Sequence, residues 1–303
     1  MTKKKVLVTG IVPKEGLQKL MAQCEVTYSE DTPFSREYVL EHLKDYDAWL
    51  LMGQKGDREM IDAAQNLQLI SLNAVGYDHV DIAYAKEKGI TVSNSPQAVR
   101  VPTAEMTITL MMAAAKRLAF YDKVVRQGEW LDPSERRFQG MTLQGATLGI
   151  YGMGRIGFTV AEFAKALGMK VVYNDLYRLP QEREEELGVH FLDFDQLISQ
   201  ADVVSIHAPY LPSTHHQFNK DVFRAMKNRS YLVNAARGPI VSEEDLVWAL
   251  KEGQIAGAGL DVFEFEPAVS EELRQLDNVI MSPHAGTGTV SYTHLTLPTS
   301  DLV

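Results

Sequence analysis

The chain has a single cysteine, Cys24, in 303 residues. An internal disulfide is therefore impossible, and no cysteine-based zinc site can be assembled; no metal is expected. A reducing compartment suits such a chain, so the expected location is cytoplasmic. Long apolar runs are missing as well. The most apolar stretch, residues 106–115, is about half of a membrane span and reads as a buried helix. At the start, Lys3, Lys4 and Lys5 precede only Val6, Leu7 and Val8. That run is too short for a signal-peptide core and reads as a first strand. Positive charge is scarce: Lys and Arg number 30 against 40 Asp and Glu, a formal net charge of −10. This balance disfavours nucleic acid or an anionic membrane as the main partner. It does not exclude small anions, because one local arginine can capture a carboxylate. No low-complexity linker or short-period repeat is visible.

What is present is alternation. Short apolar, β-rich runs at 6–9, 48–52, 69–75 and 90–93 read as strands, with helical patterns at 58–65 and 81–88 between them. A second series follows, with strands at 147–151, 170–174, 189–192, 202–207, 230–234 and 255–261 and helices at 156–167 and 243–251. Strand–helix alternation with buried strands implies parallel sheets covered on both faces. The expected class is α/β, with two doubly wound parallel-sheet domains. The series breaks once, at a long helical stretch from about 102 to 127 and a polar loop at 128–140. The domain junction is placed near residue 100, giving domains at 1–100 and 101–289. Residues 290–303 continue neither pattern and contain Pro298. They resemble the in-frame translation of a sequencing adapter, so they read as a non-native tail standing where the chain's own C-terminal segment is expected.

Gly152-Met-Gly154-Arg-Ile-Gly157 follows an apolar strand and opens a helical pattern, the context in which a GxGxxG motif carries weight. Gly152 permits a tight turn. Gly154 removes a side chain where backbone approaches a pyrophosphate, and Gly157 lets helix and strand pack closely. The helix N-terminus offers N–H groups and a positive dipole end to phosphates. The next strand ends at Asp175, eighteen positions after Gly157, where a carboxylate meets the ribose hydroxyls of a dinucleotide. That carboxylate repels a 2′-phosphate, so NAD is favoured over NADP. Arg178, three residues on, is the one feature that favours the phosphate.

Three further segments carry polar groups at strand ends: Asn234-Ala-Ala-Arg237-Gly238, then Asp261-Val-Phe-Glu264-Phe-Glu266-Pro267, then Ser282-Pro-His284-Ala-Gly286. Carboxyl ends of strands face the ligand crevice in open α/β sheets. With the glycine turn and Asp175, these motifs make the chain resemble the D-isomer-specific 2-hydroxyacid dehydrogenase family over residues 5–289. The similarity is greatest to its glyoxylate/hydroxypyruvate reductase and D-lactate dehydrogenase members. The resemblance implies a flavodoxin-like substrate domain, a Rossmann NAD-binding domain and a homodimer. It implies Arg237, Glu266 and His284 as catalytic residues, with Arg237 and His284 also on the substrate. The N–H groups of Val75 and Gly76 would hold the substrate carboxylate. Thr103, Gly152, Gly154, Arg155, Ile156, Gly157, Asp175, Ala208, Pro209, Thr214, Ala235, Ala236, Arg237, Asp261, His284 and Gly286 would contact NAD, with Asp261 at the nicotinamide carboxamide.

The implied reaction suits these residue types. Arginine holds a carboxylate with a planar fork and polarises a neighbouring ketone. Histidine titrates near neutral pH and supplies the alkoxide's proton, and a carboxylate beside it keeps the imidazolium charged. Glu264 competes with Glu266 for that place. His207 reads as a packing residue, and His79, His215, His216 and His294 as surface. Formate-oxidising relatives carry glutamine where this chain has Glu266, which argues against formate. The other alternative is a corepressor-like protein that senses NAD without turnover.

Overall fold

The run that begins at Val6 forms strand β1 (Lys5–Ile11), whose five interior residues are all buried. Continuous burial is what a strand covered on both faces requires. The chain then alternates through α1 (Lys14–Gln23), β2 (Glu25–Ser29), α2 (Arg36–His42), β3 (Ala48–Leu51), α3 (Arg58–Ala63), β4 (Leu69–Leu72), α4 (Ile82–Glu87) and β5 (Thr91–Asn94). Three of these helices start on a side-chain cap: Ser35, Asp57 and Asp81 each accept a first-turn backbone N–H. The strands lie in the order β2-β1-β3-β4-β5, all parallel. That is the flavodoxin-like doubly wound order. Leu7, Trp49, Leu51, Met60, Ile70 and Leu72 fill one side of the sheet.

A second series runs α5 (Arg100–Ala115), α6 (Leu118–Arg126), β6 (Thr147–Tyr151), α7 (Arg155–Ala166), β7 (Lys170–Asn174), α8 (Gln181–Leu187), β8 (Val189–Phe191), α9 (Phe194–Gln200) and β9 (Val203–Ile206). It ends with α10 (Lys220–Ala225), β10 (Tyr231–Asn234), α11 (Glu243–Lys251), β11 (Gly257–Leu260), α12 (Glu271–Arg274) and β12 (Val279–Met281). Its parallel sheet has the order β8-β7-β6-β9-β10-β11-β12. This is the Rossmann arrangement with one strand added, and its order reverses between β6 and β9. The computed structural model describes residues 3–132, 134–135 and 138–288, and the backbone of a short strand β13 (Asp301–Leu302) set antiparallel to β5. Two compact units result, Met1–Val99 with Gly288–Val303 and Arg100–Thr287. The rest of the adapter-like segment lies outside the described residues. Among the described residues, no helix is long and apolar enough to cross a membrane.

The long helix expected over 102–127 is two helices. Arg117 takes a left-handed backbone conformation (φ 55°) and ends the first. The Ala115 carbonyl it releases is taken by the N–H of Met141 at 2.8 Å. Gly140 lies so close that a Cβ there would stand 2.1 Å from that same carbonyl oxygen. A capping contact from distant residues thus replaces the helical one. Strand β2 has no counterpart in the sequence reading, because this edge strand is only half-buried and alternates Glu, Val, Thr, Tyr and Ser. The run at 69–75 leaves the sheet at Leu72, since the Ala74 carbonyl accepts from Ser95 N–H and the Val75 carbonyl from the Asn94 amide.

Candidate active site

At the reversal point β6 runs into Gly152, whose φ of +98° few side chains tolerate. A Cβ at Gly152 would stand 2.5 Å from Ala208 N and 2.6 Å from the His207 carbonyl carbon, so the turn is pressed against the end of β9. At Gly157 a Cβ would meet the Gly152 oxygen at 2.1 Å, which seats α7 on the turn. Gly154 is different: among the described residues nothing lies within 4 Å of its would-be Cβ. It is the N-cap of α7, and no side chain caps that helix. An open, uncapped helix start behind a side-chain-free turn is the cradle a pyrophosphate needs.

Asp175 stands just beyond β7. Its Oδ2 accepts from Met153 N–H at 2.6 Å and its Oδ1 from Tyr177 N–H at 3.1 Å. A carboxylate has about four acceptor sites, so roughly two stay open for vicinal hydroxyls. Arg178 is committed elsewhere. Its Nε and Nη2 donate to both oxygens of Glu184 at 2.9 and 2.8 Å. The donor and acceptor set therefore fits a dinucleotide whose adenosine ribose carries free hydroxyls.

The ends of β10, β11 and β12 form the second half of the site. Asn234 closes an Asx-type turn after β10, accepting from Ala236 N–H and donating to the Arg237 carbonyl, each at 3.0 Å. Gly238 then touches the segment after β11. A Cβ there would stand 1.8 Å from the Phe263 carbonyl oxygen, so only glycine lets Arg237 sit beside Glu266. Glu266 accepts from Phe263 N–H at 2.9 Å with Oε1 and lies 2.8 Å from His284 Nδ1 with Oε2. His284 itself has a left-handed backbone (φ 51°). Asp261, fully buried, holds it there. The Asp261 carbonyl accepts from His284 N–H at 2.7 Å. Its carboxylate accepts from Ser282 Oγ at 2.6 Å, Ala285 N–H at 2.7 Å and Gly286 N–H at 2.8 Å.

The electrostatics follow from these contacts. The Glu266 hydrogen bond raises the His284 imidazole above its usual value, against burial and the Arg237 charge, which lower it. Burial alone would push the Glu266 carboxyl up, but His284, the Phe263 N–H and the Arg237 charge together hold it below the ordinary carboxylate range. The Arg237 charge thus acts on both members of the Glu266–His284 pair.

The remaining expected residues fall in both units. In the first unit, the Val75 and Gly76 N–H groups have no protein acceptor among the described residues. In the second, Thr103 is buried, and its hydroxyl lies 3.8 Å from the position a Gly286 Cβ would take, beside Asp261. Ala208 is buried against Gly152, whereas Pro209 and Arg155 are exposed. Ile156 lies in the first turn of α7, and Ala235 and Ala236 form the turn before Arg237. Thr214 turns its hydroxyl onto its own loop, donating towards the Pro209 and Leu211 carbonyls and accepting from Leu211 N–H.

His216 is not an unpartnered surface histidine. Its Nε2 lies 2.7 Å from Glu264 Oε1, and Glu264 Oε2 accepts from Glu243 N–H. Glu264 is therefore occupied away from His284. His207 is partly buried, its Nε2 2.8 Å from Ser205 Oγ, and desolvation pushes its pKa down to about 3. Asn234 and Ser282, which open two of the polar strand-end segments, shape the Arg237 and His284 turns, a role the sequence reading does not assign them. Asparagine directly after a strand and before Ala-Ala-Arg-Gly was the available signal for the first. No group of three or more His, Cys, Asp or Glu suited to a metal occurs among the described residues.

Comparison with known proteins places the chain in a family. Residues 108–286 match the family model for the D-isomer specific 2-hydroxyacid dehydrogenase NAD binding domain. A glyoxylate reductase of Thermococcus onnurineus is 43% identical over 293 residues, covering 95% of this chain and 87% of that protein. The crystal structure of a glyoxylate reductase from Paecilomyes thermophila superposes with a TM-score of 0.87 at 33% identity, covering 98% of this chain and 92% of that one. D-lactate dehydrogenase from Aquifex aeolicus, solved with NAD and lactic acid, gives 0.80 at 29% identity, covering 95% and 90%.

Proposed function

The chain belongs to the D-isomer-specific 2-hydroxyacid dehydrogenase family, and from that premise we propose that it reduces glyoxylate to glycolate and closely related 2-oxo acids to the D-2-hydroxy acids. The general activity is established by the family: NAD-dependent hydride transfer on small 2-oxo and 2-hydroxy acids. The observation that carries the finer reading is the 2.8 Å contact between Glu266 and His284, with the charge of Arg237 acting on both.

Bound NADH supplies the hydride that reduces the substrate carbonyl carbon. Arg237 grips the substrate carboxylate and polarises the ketone oxygen through charge-assisted hydrogen bonds. His284 Nε2, the ring nitrogen not turned to Glu266, donates the proton that the developing alkoxide needs. Glu266 fixes the ring and keeps it protonated near neutral pH. In the oxidative direction the neutral ring takes the proton back. On the first unit, the Val75 and Gly76 N–H groups are read as able to cradle a carboxylate, supported by their having no protein acceptor among the described residues.

For the cofactor, Gly152, Gly154, Arg155, Ile156 and Gly157 form the phosphate turn and Asp175 takes the ribose hydroxyls. Thr214 keeps Ala208 and Pro209 in place beside that turn. Thr103, Ala235, Ala236, Asp261 and Gly286 surround the nicotinamide end. The reading extends to a cytoplasmic homodimer. Support for the dimer comes from Leu118 and Val125, two turns apart on α6 and more than half exposed, and from Trp130, 88% exposed. Sedimentation of a monomer would remove that part.

Initial rates with glyoxylate, hydroxypyruvate, pyruvate and longer 2-oxo acids, each with NADH and NADPH, test the proposal. Glyoxylate or hydroxypyruvate with NADH is expected to give the highest kcat/KM. Negligible turnover with every acid would overturn it.

A further inference from the structure

Arg178 lies three residues after Asp175, where a cation could receive the 2′-phosphate of NADP. Its place is fixed by a network that has no part in the reaction. Glu184, on α8, is almost wholly buried (side chain 8% exposed), whereas Arg178 is 62% exposed. Both Glu184 oxygens accept from the guanidinium, at 2.9 and 2.8 Å. Oε1 also accepts from the Tyr173 hydroxyl at 2.6 Å. That hydroxyl in turn accepts from Leu179 N–H at 2.8 Å, which fastens the arginine-bearing turn to the sheet. The Phe191 ring lies under the guanidinium, 5.6 Å from its carbon.

A buried carboxylate gripped bidentately by arginine is both a geometric and a charge commitment. The guanidinium has five donors in a fixed fork, and the two used here set its plane and direction. Its charge is balanced by Glu184 before any ligand arrives. We propose that Glu184, braced by Tyr173, is a specificity-determining residue that keeps Arg178 from serving a 2′-phosphate, so that the choice of NAD rests on two carboxylates: Asp175, which repels the phosphate, and Glu184, which withholds the nearest cation. The proposal rests on the reading of Asp175 as the ribose ligand. It adds that removing Asp175 alone leaves this site only half converted, because the cation remains engaged.

The test is calorimetric binding of adenosine 5′-monophosphate and adenosine 2′,5′-bisphosphate to the full chain and its variants, with melting temperature recorded for each. In the parent, the monophosphate is expected to bind and the bisphosphate to bind more weakly. Asp175→Ser closes that gap; if it does not, the ribose reading fails and the latch is not the cause. Adding Glu184→Gln is expected to tighten the bisphosphate by about tenfold, the order of one extra charge-assisted hydrogen bond, and to leave the monophosphate unchanged. Adding Arg178→Ala to that pair abolishes the gain. A second variant avoids the buried position: Arg178→Ala on Asp175→Ser alone, with Glu184 intact, is expected to leave bisphosphate affinity unchanged. The latch is overturned if Glu184→Gln brings no gain on the Asp175→Ser background. It is equally overturned if the gain survives Arg178→Ala, or if Arg178→Ala weakens the bisphosphate while Glu184 is present.

Discussion

Glu266 Oε2 lies 2.8 Å from His284 Nδ1, while Glu264, two positions earlier, is turned to His216 at 2.7 Å. The two carboxylates are therefore not interchangeable. Reduction needs protonated His284, so kcat/KM for reduction falls as pH rises through the raised imidazole pKa. Glu266→Gln removes the charge that raises it, and the descending limb of the profile moves to lower pH. Glu264→Gln leaves the limb in place. Profiles of both variants decide the matter, and a shifted limb in Glu264→Gln with none in Glu266→Gln would exchange their roles.

Arg237 is expected to serve the substrate more than the cofactor. Arg237→Ala loses charge-assisted hydrogen bonds of about 1.5–3 kcal/mol each, so kcat/KM for the 2-oxo acid drops by roughly ten- to a hundredfold for each bond lost. NADH affinity, followed by fluorescence titration, changes little. Arg237→Lys restores only part of the loss, because an ammonium cannot reproduce the planar fork.

Gly238→Ala is the test of how the site is held together. The added methyl would stand 1.8 Å from the Phe263 carbonyl oxygen and 2.6 Å from Glu264 N, both backbone. One of the two loops must move, at a cost of about 1–3 kcal/mol or more. Melting temperature falls, and activity falls further than stability alone explains, since Arg237 and Glu266 ride on the loops that separate. Unchanged activity in a folded Gly238→Ala chain would show that their spacing is not critical.

The same pair leaves a signature in stability. The His284 pKa is raised from 6.5, so its contribution is fully present below 6.5 and is lost as pH rises through the folded value. The Glu266 pKa is lowered from 4.5, so its contribution is present above 4.5 and is lost as pH falls through the folded value. The pair is thus most stabilising between about pH 4.5 and 6.5. The deficit in melting temperature of His284→Ala relative to the parent is expected to be largest there and to shrink above neutrality. A deficit independent of pH would mean that the pair does not titrate as a unit.

Features written in local sequence were legible. Buried strands read as apolar runs, and Gly152, Gly154 and Gly157 carry their geometry in their identity. Glu266 and His284, expected together, do meet. What escaped depends on partners far away in the chain. The helix break at Arg117 is set by Met141 and Gly140, and β2 is an edge strand with no apolar run to announce it. His216 gains its partner from a segment 48 residues on. Glu184 sits in a charged helix where nothing but the fold marks one glutamate of four as the buried one.

The most direct measurement is chiral chromatography of the product when pyruvate is reduced with NADH, run alongside the rate of NADH consumption in the parent and in His284→Ala. NADH-dependent formation of D-lactate is expected, with the rate falling sharply in His284→Ala. L-lactate, or a rate indifferent to the loss of His284, would contradict the assignment of this site and its proton donor.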